Sequence, residues 1–225
     1  MQRHFDEELK QLKEKLLRMS SLVEEAISSS IKALVDRDPQ LAEKVKKSDD
    51  TINMLEIEID DLSLRLLALH QPQASDLRFI TSAMKINNDL ERMGDLAVNI
   101  AQVVKYLMKA PALKPISDIS KMAKAAQRML KDSLNSFVNN DSQLAKDVCK
   151  RDDEVDNLNH EIFMELLTYM LEDQKTIEQA VDLILVARHL ERIADHSTNI
   201  CEDVIYIIEG KTIKHHIEER ELKKS

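Results

Sequence analysis

The chain has 225 residues and a formal net charge of −9, with 32 Lys and Arg against 41 Asp and Glu. Two glycines, four prolines and no tryptophan, among many strong helix formers, exclude a β-rich protein and any site built on a glycine-rich phosphate loop. The negative charge argues against nucleic acid as a partner, because that binding depends on clustered Lys and Arg.

Three long segments of the first half repeat apolar residues every three or four positions, which is typical of amphipathic helices. The first covers residues 5–36, and Asp38-Pro39 ends it and starts the second. The second stops before Pro72, because a residue that precedes proline is displaced from the helical region. The third covers about 75–109. These segments predict three antiparallel helices.

The same pattern returns after a predicted linker at residues 111–115, which proline brackets at both ends. A fourth helix is predicted over 117–138, a fifth over about 144–171 and a sixth over about 176–210. The last fifteen residues have the composition of a solvated tail.

Short loops make sequential helices antiparallel neighbours. The predicted fold class is therefore all-α, a tandem repeat of two elongated antiparallel three-helix bundles with six long helices. We place the first bundle at residues 1–110, the second at 116–210 and the tail at 211–225. The relative orientation of the two bundles is left open.

One motif occurs twice, at residues 90–101 and 190–201, and each copy carries Leu-Glu-Arg, then Asp, then Asn followed by Ile. The acidic and amide positions stand at i, i+4 and i+8, so each trio forms one polar stripe on a helix. The two trios are Glu91, Asp95 and Asn99, and Glu191, Asp195 and Asn199. Because the apolar seams point roughly the other way, the stripes are predicted to face outward.

A second pair of polar positions extends the repeat to the preceding helices. Asp49 and Asn53 correspond to Asp152 and Asp156, at an offset of 103 residues. Each pair lies about as many residues before its hairpin turn as the stripe of the next helix lies after it, so the two should be at the same height along the helix axes. Two adjacent helices would thus gather oxygen ligands at one height. Carboxylates without thiolates suit Mg, Mn, Ca or Fe, and His189 and His196 flank the second stripe as further candidates.

Three other interpretations remain beside metal binding. The carboxylates could be ordinary surface acids paired with Arg92, Arg188, Arg192 or Lys150. A di-metal carboxylate enzyme would use Glu-x-x-His on inward-facing positions, and no His here has a Glu three residues before it. In a metal-free helical scaffold, the stripes would instead dock basic patches of a partner. We predict a non-enzymatic binding module, without an obvious pocket for phosphate.

Neither a membrane span nor a signal peptide is expected, because no apolar run is long enough and the N-terminal segment is charged. Cys149 and Cys201 lie in separate elements without zinc-site spacing. They indicate two reduced thiols in a cytoplasmic protein.

The duplicated motif, the hairpin sequence Gln-Pro-Gln-Ala-Ser-Asp-Leu-Arg at 71–78 and the segment from Asp49 to Glu58 together resemble the PhoU family of phosphate-signalling regulators. The resemblance extends from Phe5 to about Gly210. It implies a cytoplasmic protein that negatively regulates phosphate uptake and the phosphate-starvation response. Its partners would be the ATPase subunit of the phosphate ABC transporter and the sensor histidine kinase of the phosphate regulon, so that it meets the membrane only through them. Homodimer formation is left open.

The resemblance also implies metal clusters on the bundle surface, with iron preferred over zinc, manganese, magnesium or nickel. By position these motifs correspond to Glu91 with Asp95, Glu191 with Asp195, and Asp152 with Asp156. Asp49 with Asn53 departs from the acidic pair, and Asn is a weaker, neutral ligand. The second half also lacks the Gln-Pro hairpin, so the two ends of the molecule are not expected to be equivalent partner surfaces.

Overall fold

The computed structural model describes residues 2–108, residue 113 and residues 116–211. Within those residues the chain forms helices joined by short turns, with one 3-10 turn at Gln174–Thr176. The α-helices are α1 Gln2–Asp36, α2 Pro39–His70, α3 Ala74–Leu107, α4 Ile116–Asn139, α5 Ser142–Cys149, α6 Asp152–Glu172 and α7 Ile177–Glu209.

Two helical bundles share one core. Helices α1, α2 and α3 pack against one another, and α4 packs with α5, α6 and α7. The buried apolar residues of all seven helices form a single continuous cluster, because each helix turns its apolar seam inward. The predicted all-α class of helical bundles is confirmed.

The predicted fifth helix is interrupted. α5 ends at Cys149, and α6 starts again at Asp152 after a tight turn in which the Arg151 amide donates to the Val148 carbonyl at 2.9 Å. The first turn of α6 is acidic, with Asp152, Asp153 and Glu154, and negative charge at that position stabilises a helix N-terminus. The corresponding helix α2 runs on without interruption.

The bundles meet through α3 and α7, which run antiparallel. Arg78 Nε near the start of α3 donates to the Ile207 carbonyl near the end of α7, at 3.4 Å. Further along α3, Lys85 Nζ lies 2.9 Å from Asp203 Oδ1. Asp89 then pairs with His196. Residues further along α3 therefore pair with residues earlier on α7, as expected for antiparallel helices. This register brings Asp89, just before the first duplicated motif, against His196 and Asn199 of the second, and it decides the orientation left open by the sequence.

The two thiols belong to this second bundle and contact each other. Their mutual hydrogen bond lowers the pKa of Cys149 and, together with complete burial, raises the pKa of Cys201. Both cysteines are free thiols in the structure.

Pro111 and Pro115 of the predicted linker lie outside the described residues, and so does the tail after residue 211. The domain limits therefore stay a prediction. Among the helices of the described ranges, none combines the length and apolarity that crossing a membrane would require.

Candidate metal-binding surface

Four carboxylates come together across the α6–α7 hairpin. We call Asp152, Asp156, Glu191 and Asp195 the second acidic cluster. Partial burial, followed by repulsion from Asp195, Asp156, Asp153 and Glu191, raises the pKa of Asp152 to about 6. Burial and neighbouring carboxylates also raise the pKa values of Glu191 and Asp195. The level predicted by counting from the turn is confirmed, since these charges repel one another between the two helices.

The equivalent place on α2 and α3 holds the first acidic cluster, which we define as Asp49, Asn53, Glu56, Glu91 and Asp95. Asn53 Nδ2 donates to Asp49 Oδ2 at 3.1 Å. Burial and then the charge of Asp95 raise the pKa of Asp49, while burial, Asp95 and Glu56 raise that of Glu91. Sequence reasoning missed Glu56, although it stands one turn after Asn53 on the same helix.

One carboxylate oxygen in each cluster is buried and has no hydrogen-bond partner among the described residues. These atoms are Asp49 Oδ1 and Asp152 Oδ1, at corresponding positions of the two halves. A buried oxygen without a partner is costly, and most such atoms in proteins are satisfied. A divalent cation would satisfy it and offset the repulsion among its neighbours, so the residues present fit a hard or borderline cation.

The side chains of the two clusters do not form a complete metal-coordination site among the described residues. Among residues 2–108, 113 and 116–211, no three His, Cys, Asp or Glu side chains lie close enough together to hold a metal ion. Metal binding by the clusters therefore stays a prediction.

Arginines partly compensate both clusters, as the surface-acid alternative requires. Arg92 lies 3.5 Å from Glu91 Oε2 and 3.6 Å from Asp95 Oδ2. Both distances exceed the roughly 2.8 Å of a strong charge-assisted hydrogen bond. In the second cluster Arg188 lowers the pKa of Glu191 against the larger effect of burial, and Arg192 does so for Asp195. The carboxylates thus keep unbalanced negative charge.

The outer candidates occupy different surroundings. Asn99 and Asn199 are both exposed, but Asn199 Nδ2 donates to Asp89 Oδ1 at 3.4 Å, and His196 Nδ1 lies 2.8 Å from the same oxygen. His196 and Asn199 therefore bind α3 across the bundle interface. His189 Nδ1 is buried without a partner, and burial followed by the charge of Arg192 lowers its pKa. Asp89, which the sequence did not single out, is the hub of this polar contact.

Close helix packing distinguishes the first cluster. A Cβ atom added at Gly94 would lie 3.2 Å from Ile52 Cδ1 and 3.5 Å from Asp49 Oδ1. The second motif has Ala194 at the corresponding position. The absent methyl group lets α2 bring Ile52 close against the backbone of α3.

A lysine-lined groove of the first bundle lies away from the acidic clusters. It has a volume of about 820 Å³ and runs between the start of α2 and the end of α3. Its cationic lining consists of the exposed residues Lys44, Lys46, Lys47 and Lys105. None of the predicted metal ligands lines it.

Comparisons with known proteins give a consistent result. The family model for the PhoU domain matches residues 16–104 and 119–204. A phosphate-specific transport system accessory protein PhoU homolog of Aquifex aeolicus is 47% identical over 214 residues, covering 95% of this chain and 97% of that protein. The crystal structure of PhoU from Pseudomonas aeruginosa is 38% identical and aligns with a TM-score of 0.90 over 92% of this chain and 100% of that one. The phosphate transport system regulatory protein PhoU from Streptococcus pneumoniae gives 34% identity and a TM-score of 0.86, over 93% and 99% of the two chains.

Proposed function

This chain belongs to the PhoU family, and from that premise we propose that it is a negative regulator of phosphate uptake and phosphate-starvation signalling. It acts in the cytoplasm as an adaptor between the ATPase subunit of the phosphate ABC transporter and the sensor histidine kinase of the phosphate regulon. It works by binding rather than by catalysis.

The observation that carries this proposal is similarity over nearly the whole length to proteins named for phosphate transport. The relative in Aquifex aeolicus is named an accessory protein, and the structure from Streptococcus pneumoniae is named a regulatory protein. Because the alignments cover more than nine-tenths of this chain, the comparison extends to both bundles. An adaptor also needs surfaces more than a pocket, and the two acidic clusters are such surfaces.

The metal part of the proposal is supported by the clusters themselves. Glu91 and Asp95 with Asp49 would hold a cation on the first bundle, and the second acidic cluster would hold another. The bound cation would supply positive charge that neutralises the mutual repulsion of the carboxylates. Iron is the preferred metal, with zinc, manganese, magnesium or nickel as substitutes, and cluster occupancy would be an input to signalling.

The regulatory function is tested in cells that lack this chain. A phosphate-starvation promoter should be active in them even when phosphate is plentiful, and the wild-type chain should restore repression. Continued repression without the chain would contradict the proposal. The variant Met54→Gln, at an exposed position of α2 outside the clusters, serves as a matched control and should repress like the wild type.

The metal function is tested separately by measuring metal per chain after purification without added metal. We expect bound iron, manganese or zinc in the wild type and a clear reduction in the double variant Glu191→Gln, Asp195→Asn. Circular dichroism must show equal helicity of both proteins. Absence of metal from the wild type even after reconstitution would reject metal binding and favour the clusters as docking contacts.

A further inference from the structure

An unusual number of large apolar side chains are exposed at the far end of the second bundle. We call them the apolar hairpin face, and their exposed fractions range from 36% to 80%. On α6 they are Phe163, Met164, Leu167 and Leu171, and on α7 they are Ile177, Val181 and Leu185.

These side chains form one surface. Residues 163, 167 and 171 are spaced one turn apart on α6, and residues 177, 181 and 185 are spaced one turn apart on α7. The turn at Gln174–Thr176 joins the two helices, which pack against each other, so both rows lie on one hairpin. Single exposed apolar residues are ordinary, but a contiguous patch on a protein surface marks an interaction site.

The apolar hairpin face continues into the second acidic cluster. A surface pocket of about 310 Å³ joins them, because its lining includes Asp156 and Glu191 of the cluster together with Phe163 and Ile184. One side of the α6–α7 hairpin therefore presents apolar residues near the turn and carboxylates further along.

We propose that this combined surface docks a basic amphipathic helix supplied by a partner protein. Its apolar stripe would cover the hairpin face, and its Lys or Arg residues would pair with the carboxylates of the cluster when these hold no metal ion. Charge complementarity selects this occupant, since the four carboxylates of the cluster, Asp152, Asp156, Glu191 and Asp195, outnumber the two arginines Arg188 and Arg192 on the same helix pair. The inference rests on the proposed adaptor function and names its contact surface.

The geometry sets the size of the docked element. Ile177 and Asp195 lie on α7 eighteen residues apart, which corresponds to about 27 Å at the rise of an α-helix. A partner helix of about 18 residues spans that distance. Its apolar residues would recur every three or four positions, and its cationic residues would be confined to one end.

The first bundle does not offer the same surface. At the positions corresponding to Phe163 and Met164 it has Asp60 and Asp61, and at those corresponding to Val181 and Leu185 it has Thr81 and Lys85. Asp60 and Lys85 are also engaged, by Asn87 and Asp203 respectively. The first bundle also exposes Leu64 and Leu77, which correspond to Leu167 and Ile177, but its charged residues interrupt that apolar surface.

The test compares two double variants of the full-length chain. Val181→Gln with Leu185→Gln alters the apolar hairpin face, and Met54→Gln with Ile57→Gln alters exposed apolar positions of α2 as the matched control. All four side chains are more than 40% exposed, so both proteins should fold, which circular dichroism and thermal unfolding verify. Affinity is measured for the purified ATPase subunit and for the cytoplasmic part of the histidine kinase from the same organism, at low and at high salt.

We expect the Val181, Leu185 variant to bind at least one of these proteins about tenfold or more weakly, and the control to remain within about twofold of the wild type. Wild-type binding should also weaken at high salt, because the cationic contacts are screened. Equal affinities of all three proteins would overturn the docking inference while leaving the adaptor function intact. Binding of neither protein by the wild type would overturn both.

Two further measurements exclude other occupants. Light scattering of the wild type and the Val181, Leu185 variant should give the same mass; a dimer that this variant alone dissociates would assign the face to a second copy of the chain. Co-sedimentation with vesicles of anionic phospholipid should be absent. Sedimentation that depends on Val181 and Leu185 would assign the face to a lipid surface and overturn the proposal.

Discussion

The two bundles match in their buried helices and differ on their exposed surfaces. Leu90 and Leu190, like Met93 and Ile193, are fully buried at corresponding places. By contrast, the second hairpin exposes Phe163, Met164 and Leu185 where the first carries Asp60, Asp61 and Lys85. The buried seam maintains a shared fold, whereas the exposed residues are free to differ and can therefore give each bundle its own contacts.

The acidic clusters show the same contrast. Asp156 of the second cluster is replaced by Asn53 in the first, where its amide binds Asp49. The first cluster instead gains Glu56 from the next turn, and Gly94 brings its helices close together. The clusters are therefore expected to differ in charge and in metal affinity, although the same two-helix framework builds both.

The largest expected effect is on the free energy of unfolding, and it tests whether the cores of the two bundles are packed equally well. Leu90→Ala and Leu190→Ala should each lower the free energy of unfolding by about 3 kcal/mol, because each removes a fully buried side chain and leaves a cavity. Denaturant unfolding measures both values. A cost below about 1 kcal/mol for one of them would show that the two central helices are not equivalent in packing.

A smaller effect should appear in metal affinity when the cluster residues are exchanged. Asp156→Asn should weaken manganese binding at the second cluster about tenfold, and Asn53→Asp should strengthen it at the first by a similar factor, since affinity follows the charge of the ligands. Calorimetric titration would be done in chains whose other cluster is removed by Gln and Asn substitutions. The exposed residue Glu161 lies outside both clusters, so Glu161→Gln should leave the affinity unchanged.

The titration of Asp152 gives a pH-dependent prediction for the metal-free protein. Its pKa is about 6 in the folded chain, against the ordinary value of 3.8 for an Asp side chain. Between pH 3.8 and about 6 the folded state binds the proton of Asp152 more tightly than the unfolded state does. The contribution of Asp152 to stability therefore falls as pH rises through this range and stays low above it.

Asp152→Asn should therefore raise the free energy of unfolding by about 1 kcal/mol near pH 7.5, a value discounted for solvent screening, and the gain should vanish toward about pH 4. Urea unfolding across this range in a chelator measures the gain. Asp49→Asn should give a smaller gain, because Asn53 leaves the first cluster less crowded with charge. An equal gain at every pH would contradict burial and repulsion of the ionised carboxylate as the cause.

The smallest effect concerns the contact of α2 with α3. Replacing glycine by alanine inside a helix normally stabilises it by about 1 kcal/mol. Gly94→Ala should gain less than about half of that, because the new methyl group would meet Ile52 Cδ1 at 3.2 Å. Ala194→Gly, the matched change in the other half, should cost about 1 kcal/mol. A full gain at Gly94 in chemical unfolding would show that the helices separate without cost.

By itself the sequence determined the class of fold, the faces of the long helices and the gathering of the acidic positions across each hairpin. These features depend on apolar periodicity and on counting from a turn, which are local properties. It also identified the family through the duplicated motif and the Gln-Pro hairpin, in agreement with the match over residues 16–104 and 119–204.

Only the tertiary structure decided the antiparallel register of α3 and α7, the pairing of Asp89 with His196 and Asn199, and the contact between Cys149 and Cys201. These residues are more than fifty positions apart, and nothing in a local pattern specifies which distant helix lies beside which. The break at Lys150 and Arg151 and the joining of the apolar hairpin face to the second cluster have the same origin. They follow from the packing of the helices, because several helix arrangements are equally compatible with the apolar periodicity and only packing selects among them.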